Sequence, residues 1–556
     1  MMNKNVIIGK LKNTIKNPYL ILFIVCALSP VLVKSDQEKS VITHFFYIII
    51  ICLILILAYN IYSHRRTKDG IVLFVLFIFI TAMVIYLSEL LNSNLAVLSL
   101  LSLILLGYLA IIWHRSGILD EKHIFILLTI AAFILRAAYV YNTGIYYRQH
   151  DLGRYEHDAS HAGYVRYIYE NKSLPDFDVR NKWQFYQPPL NYTFEAVWLK
   201  IQTLFGMDIK KAVMNAQVLP LFYSMVTTVA SYKIFKELNF KKNILALIYA
   251  IVAFHPILIM LAGSWNNDML SIMFMVLSML FTLRWIKDRR FKHIIPLAFF
   301  VGLGMLSKLS AVYVAPAIAA VFLVYLFEKK GFFTYFKQYV VFGIISIPIG
   351  MFWSVRNYIK FKVPLNYVPR LGEDYEQYIG KYSLFDRLIN SWTSFLESPY
   401  FARGVKYGFA FNEFNIFAVI AKSSMFGEWK IGDFSGKGLI IPYILLALNI
   451  ILIVVSLVGM VYFLIKKIKE RDLTIKLFLY VLYLGIIVTY VNFCFTHPHD
   501  CTMDFRYIVP SFIIGSIFIG FMLEEFKNKY FQKAIKLIIP LFCVFSTVVY
   551  LVEVLK

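Results

Sequence analysis

Charged residues are scarce in this chain of 556 residues: they make up 16% of it, whereas hydrophobic residues make up 60%. A soluble globular domain carries roughly 25% charged residues, so an ordinary soluble fold is excluded. Among the charged residues the acidic ones are the fewer, with 33 Asp and Glu against 56 Lys and Arg, and the net charge is +23. Cysteine is also rare, and only Cys494 and Cys501 share a polar connection, where a disulfide remains an open alternative.

Long apolar stretches recur along the whole chain. About 20 apolar residues allow a helix to cross roughly 30 Å of hydrocarbon, and about fifteen such stretches are present. We therefore predict an all-α polytopic membrane protein, in which the pair of spans around Lys308 is the least regular because one span is short. The predicted spans lie near 18–34, 41–63, 71–90, 94–113, 123–141, 212–235, 243–263, 269–285, 294–307, 309–327, 337–356, 437–465, 473–493, 506–525 and 536–553.

The basic residues follow an alternating pattern. Basic clusters fall in every second connection, whereas the short connections 88–94 and 264–268 contain no Lys or Arg. This positive-inside pattern predicts a cytoplasmic amino terminus on a retained first helix. It places residues 142–211, 357–436 and 494–505 outside a cell membrane. Because topology explains the positive charge, we do not expect nucleic-acid binding.

The first predicted external loop contains a pattern with chemical content. Residues 158–163 read Asp-Ala-Ser-His-Ala-Gly, and residues 184–190 read Gln-Phe-Tyr-Gln-Pro-Pro-Leu. This resembles the first external loop of the GT-C glycosyltransferases, especially the protein O-mannosyltransferases, where Asp-Glu-x-His-x-Gly precedes an aromatic stretch and His-Pro-Pro-Leu. The chain differs by having Ala159 in place of the second acid and Gln187 in place of the His.

The resemblance also implies a domain organisation. In GT-C enzymes the catalytic loop follows the first core helix, which often ends in a Leu-Arg-aromatic run, and residues 135–139 of the fifth span fit that helix. We therefore expect a GT-C-like core at 120–556 after a four-span extension at 1–119. The two large external loops, 142–211 and 357–436, then follow the fifth and eleventh spans.

The resemblance implies a membrane enzyme that transfers a hexosyl or pentosyl group from a polyprenyl-phosphate donor to an external acceptor. The acceptor hydroxyl would displace the polyprenyl phosphate in one step, so the anomeric configuration would invert. A lipid-linked donor also follows from location, since nucleotide sugars are cytoplasmic. The acceptor (protein, lipid or glycan) stays open. So do two other functions: a transporter or flippase of lipid-linked sugars, and an envelope glycan polymerase or ligase.

Such a transfer requires a carboxylate that takes the proton of the acceptor hydroxyl. Asp158 matches the first acid of the family pattern and is the predicted base, with Asp151 as its rival. Alternatively, Asp158 or Ser160 caps a helix. The apolar spacing that begins at His161 predicts this helix, lying along the membrane surface. Five further residues are predicted to contact substrate: Glu156, His161, Tyr186, Gln187 and Asp268.

The leaving group needs cations, because a departing lipid phosphate carries negative charge into a poorly hydrated site. Four basic residues at predicted helix ends or within spans are candidates: Lys308, Arg506, Arg356 and Arg136. Each has a structural alternative, since a long basic side chain can extend to the membrane interface. No cofactor is expected, and a divalent metal near His497 and His499 stays an open alternative.

Overall fold

The computed structural model describes residues 94–145, 153–327, 331–375, 377–390, 413–429, 431–434, 440–466 and 470–555. Within these ranges the chain is helical, with an isolated antiparallel bridge between Tyr378 and His499 and no strand. The all-α prediction is confirmed for this part of the chain. The helices, α1 to α18 in chain order, are Asn94–Arg115, Glu121–Thr143, His161–Asn171, Leu190–Leu204, Ile209–Met214, Val218–Glu237, Lys242–Phe254, Pro256–Met260, Asp268–Asp288, Phe291–Ser307, Ala315–Leu326, Phe332–Phe361, Leu384–Leu388, Ile416–Phe426, Ile440–Ile465, Glu470–Thr496, Pro510–Glu525 and Lys529–Leu555.

Nine helical segments in the described ranges are long and apolar enough to cross a membrane. A bent pair, Asp500–Ile508 with Pro510–Glu525 at an angle of 51°, makes ten if it counts as one span. The predicted spans at 18–34, 41–63 and 71–90 lie outside the described residues. A multi-pass helical membrane protein is therefore confirmed, and the count of about fifteen spans stays a prediction.

Two predicted spans are short or interrupted. The span near 243–263 consists of α7 and α8, with His255 in extended backbone between them. Pro256 begins α8 and has no N–H to continue the preceding helix. The span near 294–307 is α10, whose 17 residues fall below the ~20 that cross hydrocarbon without a tilt or local thinning.

Helix α10 packs closely against α12. A Cβ atom at either Gly302 or Gly350 would lie 2.9 Å from a side-chain atom of the other helix. The two glycines therefore allow the two helices to approach closely, as small residues do between membrane helices. Helix α10 ends at Ser307, and Lys308 follows it directly.

The first predicted external loop, in its described part from residue 153 onwards, folds around α3. The hydroxyl of Ser160 accepts a hydrogen bond of 2.9 Å from a backbone N–H in the first turn, so Ser160 caps the helix. The predicted apolar face packs against protein: the ring of Tyr164 stacks on Phe185 at 4.3 Å and on Tyr192 at 4.2 Å. The predicted helix is thus confirmed, and its apolar face is buried in the loop rather than exposed to lipid.

The predicted boundary near residue 119 falls between two packed helices. Helix α1, the fourth predicted span, shares an apolar cluster with α2, the first helix of the predicted core. The cluster includes Leu105 and Leu109 on α1 and Ile134 and Ala138 on α2. The division into extension and core stays a prediction.

Helix ends that were predicted to be cytoplasmic meet in ion pairs. Glu237 at the end of α6 lies 3.0 Å from Arg284 and 2.8 Å from Lys287. Lys466 pairs with Glu525 at the end of α17. These contacts gather one set of helix ends, and the cavity described next lies among the other set. The orientation of either set relative to a membrane stays a prediction.

Candidate active site

A cavity of about 650 Å³ lies among the helix ends that were predicted to be external. Its wall combines the first predicted external loop, the start of α9, the connection from α10 to α11, residues 366–375 with Gln377, the last turns of α16 and residues 497–507. The cavity brings together six of the predicted site residues, which are distant from one another in sequence. They are His161, Tyr186, Gln187, Asp268, Lys308 and Arg506.

Asp268 contacts both predicted phosphate-binding cations. Lys308 Nζ forms an ion pair with Asp268 Oδ1, and Arg506 Nη1 lies 3.8 Å from Asp268 Oδ2. The side chains of Asp268 and Arg506 are 4% and 3% exposed, and that of Lys308 is 13% exposed. Cations withdrawn from water to this extent require an anionic partner, and Asp268 supplies it.

Tyr507 connects the two cations from the other side. Arg506 Nη2 donates a hydrogen bond of 3.1 Å to its hydroxyl, and Lys308 Nζ lies 4.6 Å from the centre of its ring. The backbone here is fixed independently: Arg506 N donates to Asp504 Oδ1 at 2.8 Å, and the preceding N–H donates to Ser423 Oγ at 3.0 Å. Tyr507 was not among the predicted site residues, although its position beside Arg506 was a signal.

Asn267 joins the first loop to the end of α10. Its Nδ2 atom donates to Gln187 Oε1 at 3.1 Å and to the carbonyl of Ser307 at 3.0 Å. The Asp268 N–H donates a separate hydrogen bond of 3.0 Å to Asn266 Oδ1. The side chain of Asn267 does not make this bond, and it instead connects Gln187 to Ser307 in the cavity wall.

The remaining loop residues at the cavity are also held by hydrogen bonds. His161 Nδ1 shares a hydrogen bond of 2.6 Å with the Tyr192 hydroxyl. Gln187 Nε2 donates to the Tyr186 hydroxyl at 2.7 Å. Gln187 therefore places a neutral amide at the cavity, in the position where the resembled pattern has a His.

Glu195 is a buried acid that was not among the predicted site residues. Trp265 Nε1 donates a hydrogen bond to Glu195 Oε2, and the two residues are 1% and 0% exposed. Burial raises the pKa of Glu195 well above its usual value, and the hydrogen bond from Trp265 offsets part of that increase. The sequence held one signal for this residue, since Glu195 is an acid whose neighbours in the segment Phe194–Val197 are apolar.

The structure places the predicted base away from the cavity wall. The Asp158 side chain is 64% exposed, forms an ion pair with Arg166 and lies 3.6 Å from Lys182 Nζ. Glu156 is also exposed, and neither acid lines the cavity. Asp151 lies outside the described residues. The assignment of the base to Asp158 or Asp151 stays a prediction.

Two predicted phosphate ligands lie elsewhere. Arg136 is fully buried within the helices, where it donates to Ser224 Oγ at 2.9 Å and to the Ala253 carbonyl at 2.7 Å. Arg356 lies 3.1 Å from Asp176 in the first external loop. Because neither arginine lines the cavity, the geometry supports a structural role for both and gives no support to phosphate binding.

The residues considered for metal binding and a disulfide have other contacts. His497 Nδ1 lies 3.0 Å from the preceding threonine hydroxyl, and His499 Nε2 lies 3.0 Å from a carbonyl oxygen of the second external loop. In the described ranges no group of three or more His, Cys, Asp and Glu is arranged to hold a metal ion. No disulfide joins Cys494 and Cys501, both of which lie in the described part of the chain.

Residues 195–353 match the profile of a family described as dolichyl-phosphate-mannose-protein mannosyltransferase. The matched segment contains Asp268 and Lys308, together with the buried Glu195. The predicted resemblance to the GT-C glycosyltransferases is confirmed for this segment. The match covers less than half of the chain and does not include Arg506.

Two solved structures of one bacterial protein are similar to the chain. ArnT from Cupriavidus metallidurans in the apo state has 14% sequence identity over 77% of this chain and 76% of its own, with a TM-score of 0.37. ArnT bound to undecaprenyl phosphate has 14% identity over 71% and 76%, with a TM-score of 0.33. At these TM-scores neither likeness bears on the site. No curated protein sequence matches the chain.

Proposed function

We propose that this chain is a membrane glycosyltransferase of the GT-C type that uses a polyprenyl-phosphate-linked sugar. The observation that carries the proposal is the pair of cations in the wall of one cavity, the buried Arg506 and the largely buried Lys308. With its histidines neutral, the described lining has two positive charges against the one negative charge of Asp268, a balance of +1. Such a lining favours an anionic group, and the family matched at 195–353 is named for a lipid-phosphate sugar donor.

The cations have a defined role in the proposed reaction. As the bond between the anomeric carbon and the phosphate oxygen breaks, its electron pair stays on that oxygen. Lys308 and Arg506 would stabilise the charge that develops there, as preorganised donors do in transition states. Meanwhile the acceptor hydroxyl attacks from the opposite face and gives its proton to a carboxylate, so the proposed transfer inverts the anomeric centre.

The rest of the lining suits a sugar. Beyond the cations, the described wall is rich in aromatic rings, which offer flat apolar faces together with hydroxyl groups. These rings belong to Trp183, Tyr186, Tyr313, Tyr375, Tyr490, Phe493 and Tyr507. Hexosyl and pentosyl groups are both compatible with this wall, and the acceptor remains open among protein, lipid and glycan.

The proposal is tested in cells that produce the wild-type chain, the Lys308→Met variant or no chain. The mass of external glycoconjugates should increase by one sugar residue only with the wild-type chain, because the variant lacks a leaving-group cation. Lys360→Met is the matched control, since Lys360 forms an exposed ion pair of 2.5 Å with Asp176 outside the cavity. It should behave as the wild type.

The alternative functions give different results in the same cells. A flippase would expose an intact lipid-linked sugar on the outer face without releasing polyprenyl phosphate. An envelope polymerase or ligase would release the lipid but add a whole glycan rather than one sugar. Equal glycoconjugate masses with all three chains and without the chain would contradict the proposed function.

A further inference from the structure

Asp268 occupies the position between the cations that an anionic ligand would take. One carboxylate oxygen faces Lys308 and the other faces Arg506. We propose that Asp268 competes with the lipid phosphate for these cations, and thereby keeps the product, polyprenyl phosphate, weakly bound enough to leave. This inference rests on the proposed function, and it assigns to Asp268 control of product release rather than substrate recognition.

The competition follows from the charges. With Asp268 ionised, the cluster of one acid and two cations carries +1. A phosphate monoester carries between one and two negative charges near neutral pH, with its second pKa near 6. It would therefore have to share both cations with a carboxylate already in contact with them. A phosphate bound to the same two cations would lie close to the Asp268 carboxylate. Like charges that are close together in a site withdrawn from water repel strongly.

Bonds that do not involve the carboxylate already hold the backbone of Asp268 and of Lys308. The Asp268 N–H is bound by Asn266 at 3.0 Å, and Asn267 binds the Ser307 carbonyl at 3.0 Å. The Lys308 N–H continues α10 with a bond of 2.9 Å to the Gly304 carbonyl. These backbone positions do not depend on the carboxylate, so its neutralisation should leave the start of α9 and the end of α10 in place.

A structural role and a competing role predict opposite signs. If the carboxylate only oriented the cations, neutralising it would weaken phosphate binding. If the carboxylate competes, Asp268→Asn should bind phosphate more tightly, because both cations would then be available to the ligand. Product release limits many enzymes, and in that case Asp268→Asn should also lower kcat and strengthen inhibition by the product.

The experiment measures binding of undecaprenyl phosphate to the full chain in lipid nanodiscs. Asp268→Asn should lower the dissociation constant by about tenfold or more, the effect of one strong charge interaction. Asp268→Ser is measured in parallel, so that the test does not depend on the folding of one variant. Asp176→Asn is the matched control, since Asp176 pairs with Lys360 and Arg356 outside the cavity, and it should leave binding unchanged.

The outcomes separate this inference from the proposed function. Tighter binding by a folded neutral variant at position 268 supports competition, and weaker or unchanged binding overturns it. Lys308→Met should weaken binding in either case if the cavity takes the lipid phosphate. If the wild-type chain binds no undecaprenyl phosphate and Lys308→Met changes nothing, the proposed function itself fails.

Discussion

The side chains of Asn267 and Gln187 share a buried hydrogen bond of 3.1 Å, although they come from different parts of the chain. Gln187 belongs to the first external loop, and Asn267 directly precedes α9. Because the same Asn267 amide also binds the Ser307 carbonyl, one side chain fixes the loop relative to the residue before Lys308. The arrangement predicts that Asn267 positions the cavity wall without contributing charge.

Replacing Asn267 tests this positioning role. Asn267→Ala removes both hydrogen bonds and leaves buried acceptors unsatisfied, so we expect a loss of about 1–3 kcal/mol in stability. In the transfer assay kcat should fall, because Lys308 and the loop are no longer held together. Asn171→Ala is the control, since the Asn171 amide makes only an exposed bond of 2.8 Å to a carbonyl of its own helix. Unchanged kcat in Asn267→Ala would contradict the positioning role.

The proposed base can be found by comparing two carboxylates in the first loop. Asp158→Asn or Asp151→Asn removes the proton acceptor while nearly preserving side-chain size. A general base contributes roughly 10²–10⁴ in rate, so the variant at the true base should lose activity to that extent without losing thermal stability. If only Asp151→Asn is inactive, the base is Asp151. If both variants keep their activity, the base does not come from this loop.

Glu195 should make stability depend on pH. Burial raises the pKa of Glu195 in the folded chain above the usual value of 4.5. At pH values between 4.5 and this raised pKa, the unfolded chain loses a proton that the folded chain keeps. Stability then falls as pH rises, with a limiting slope of about 1.4 kcal/mol per pH unit. Unfolding temperatures from pH 5 to 8 should therefore fall more steeply for the wild type than for Glu195→Gln.

The exposed Glu170 provides the control for this pH dependence. A Glu170→Gln variant should follow the wild-type curve, because the side chain at position 170 is exposed to solvent, unlike the buried Glu195. If the wild type and Glu195→Gln had parallel curves over this pH range, Glu195 would not be held in its protonated form.

Single cysteines test the predicted topology in a chain whose native cysteines have been replaced. Glu170→Cys, in the first external loop, should react with a membrane-impermeant reagent added to intact cells. Arg290→Cys lies in a basic connection and should react only after the membrane is opened. Both positions are exposed in the structure, so accessibility does not confound the result. The reverse pattern would place the cavity in the cytoplasm.

Much of the fold was predictable because the signal is local. The apolar length of α9, α12 and α15 identifies them as spans, and the spacing after His161 identifies α3. Breaks were harder to predict: the interruption at His255 and Pro256 leaves the surrounding hydropathy high, and only the proline indicates it.

The candidate site was predictable in its members but not in its contacts. Lys308 and Arg506 stand out because a cation beside an apolar run costs free energy to place in a membrane. Asp268 was predicted to contact substrate. The ion pairs among them depend on long-range packing, which no local pattern records. For the same reason Arg136 looked functional, although its guanidinium is satisfied by buried hydroxyls and carbonyls inside the bundle.

The most direct test of the central claim is turnover of an undecaprenyl-phosphate-linked sugar by the purified chain in nanodiscs, followed by release of undecaprenyl phosphate. Lys308→Ala and Arg506→Ala should each lose about 2–4 kcal/mol of transition-state stabilisation, which is roughly 30- to 1,000-fold in kcat/KM, while Lys360→Ala keeps wild-type turnover. Near-wild-type release by both cavity variants would contradict the assignment of this cation pair to the leaving phosphate.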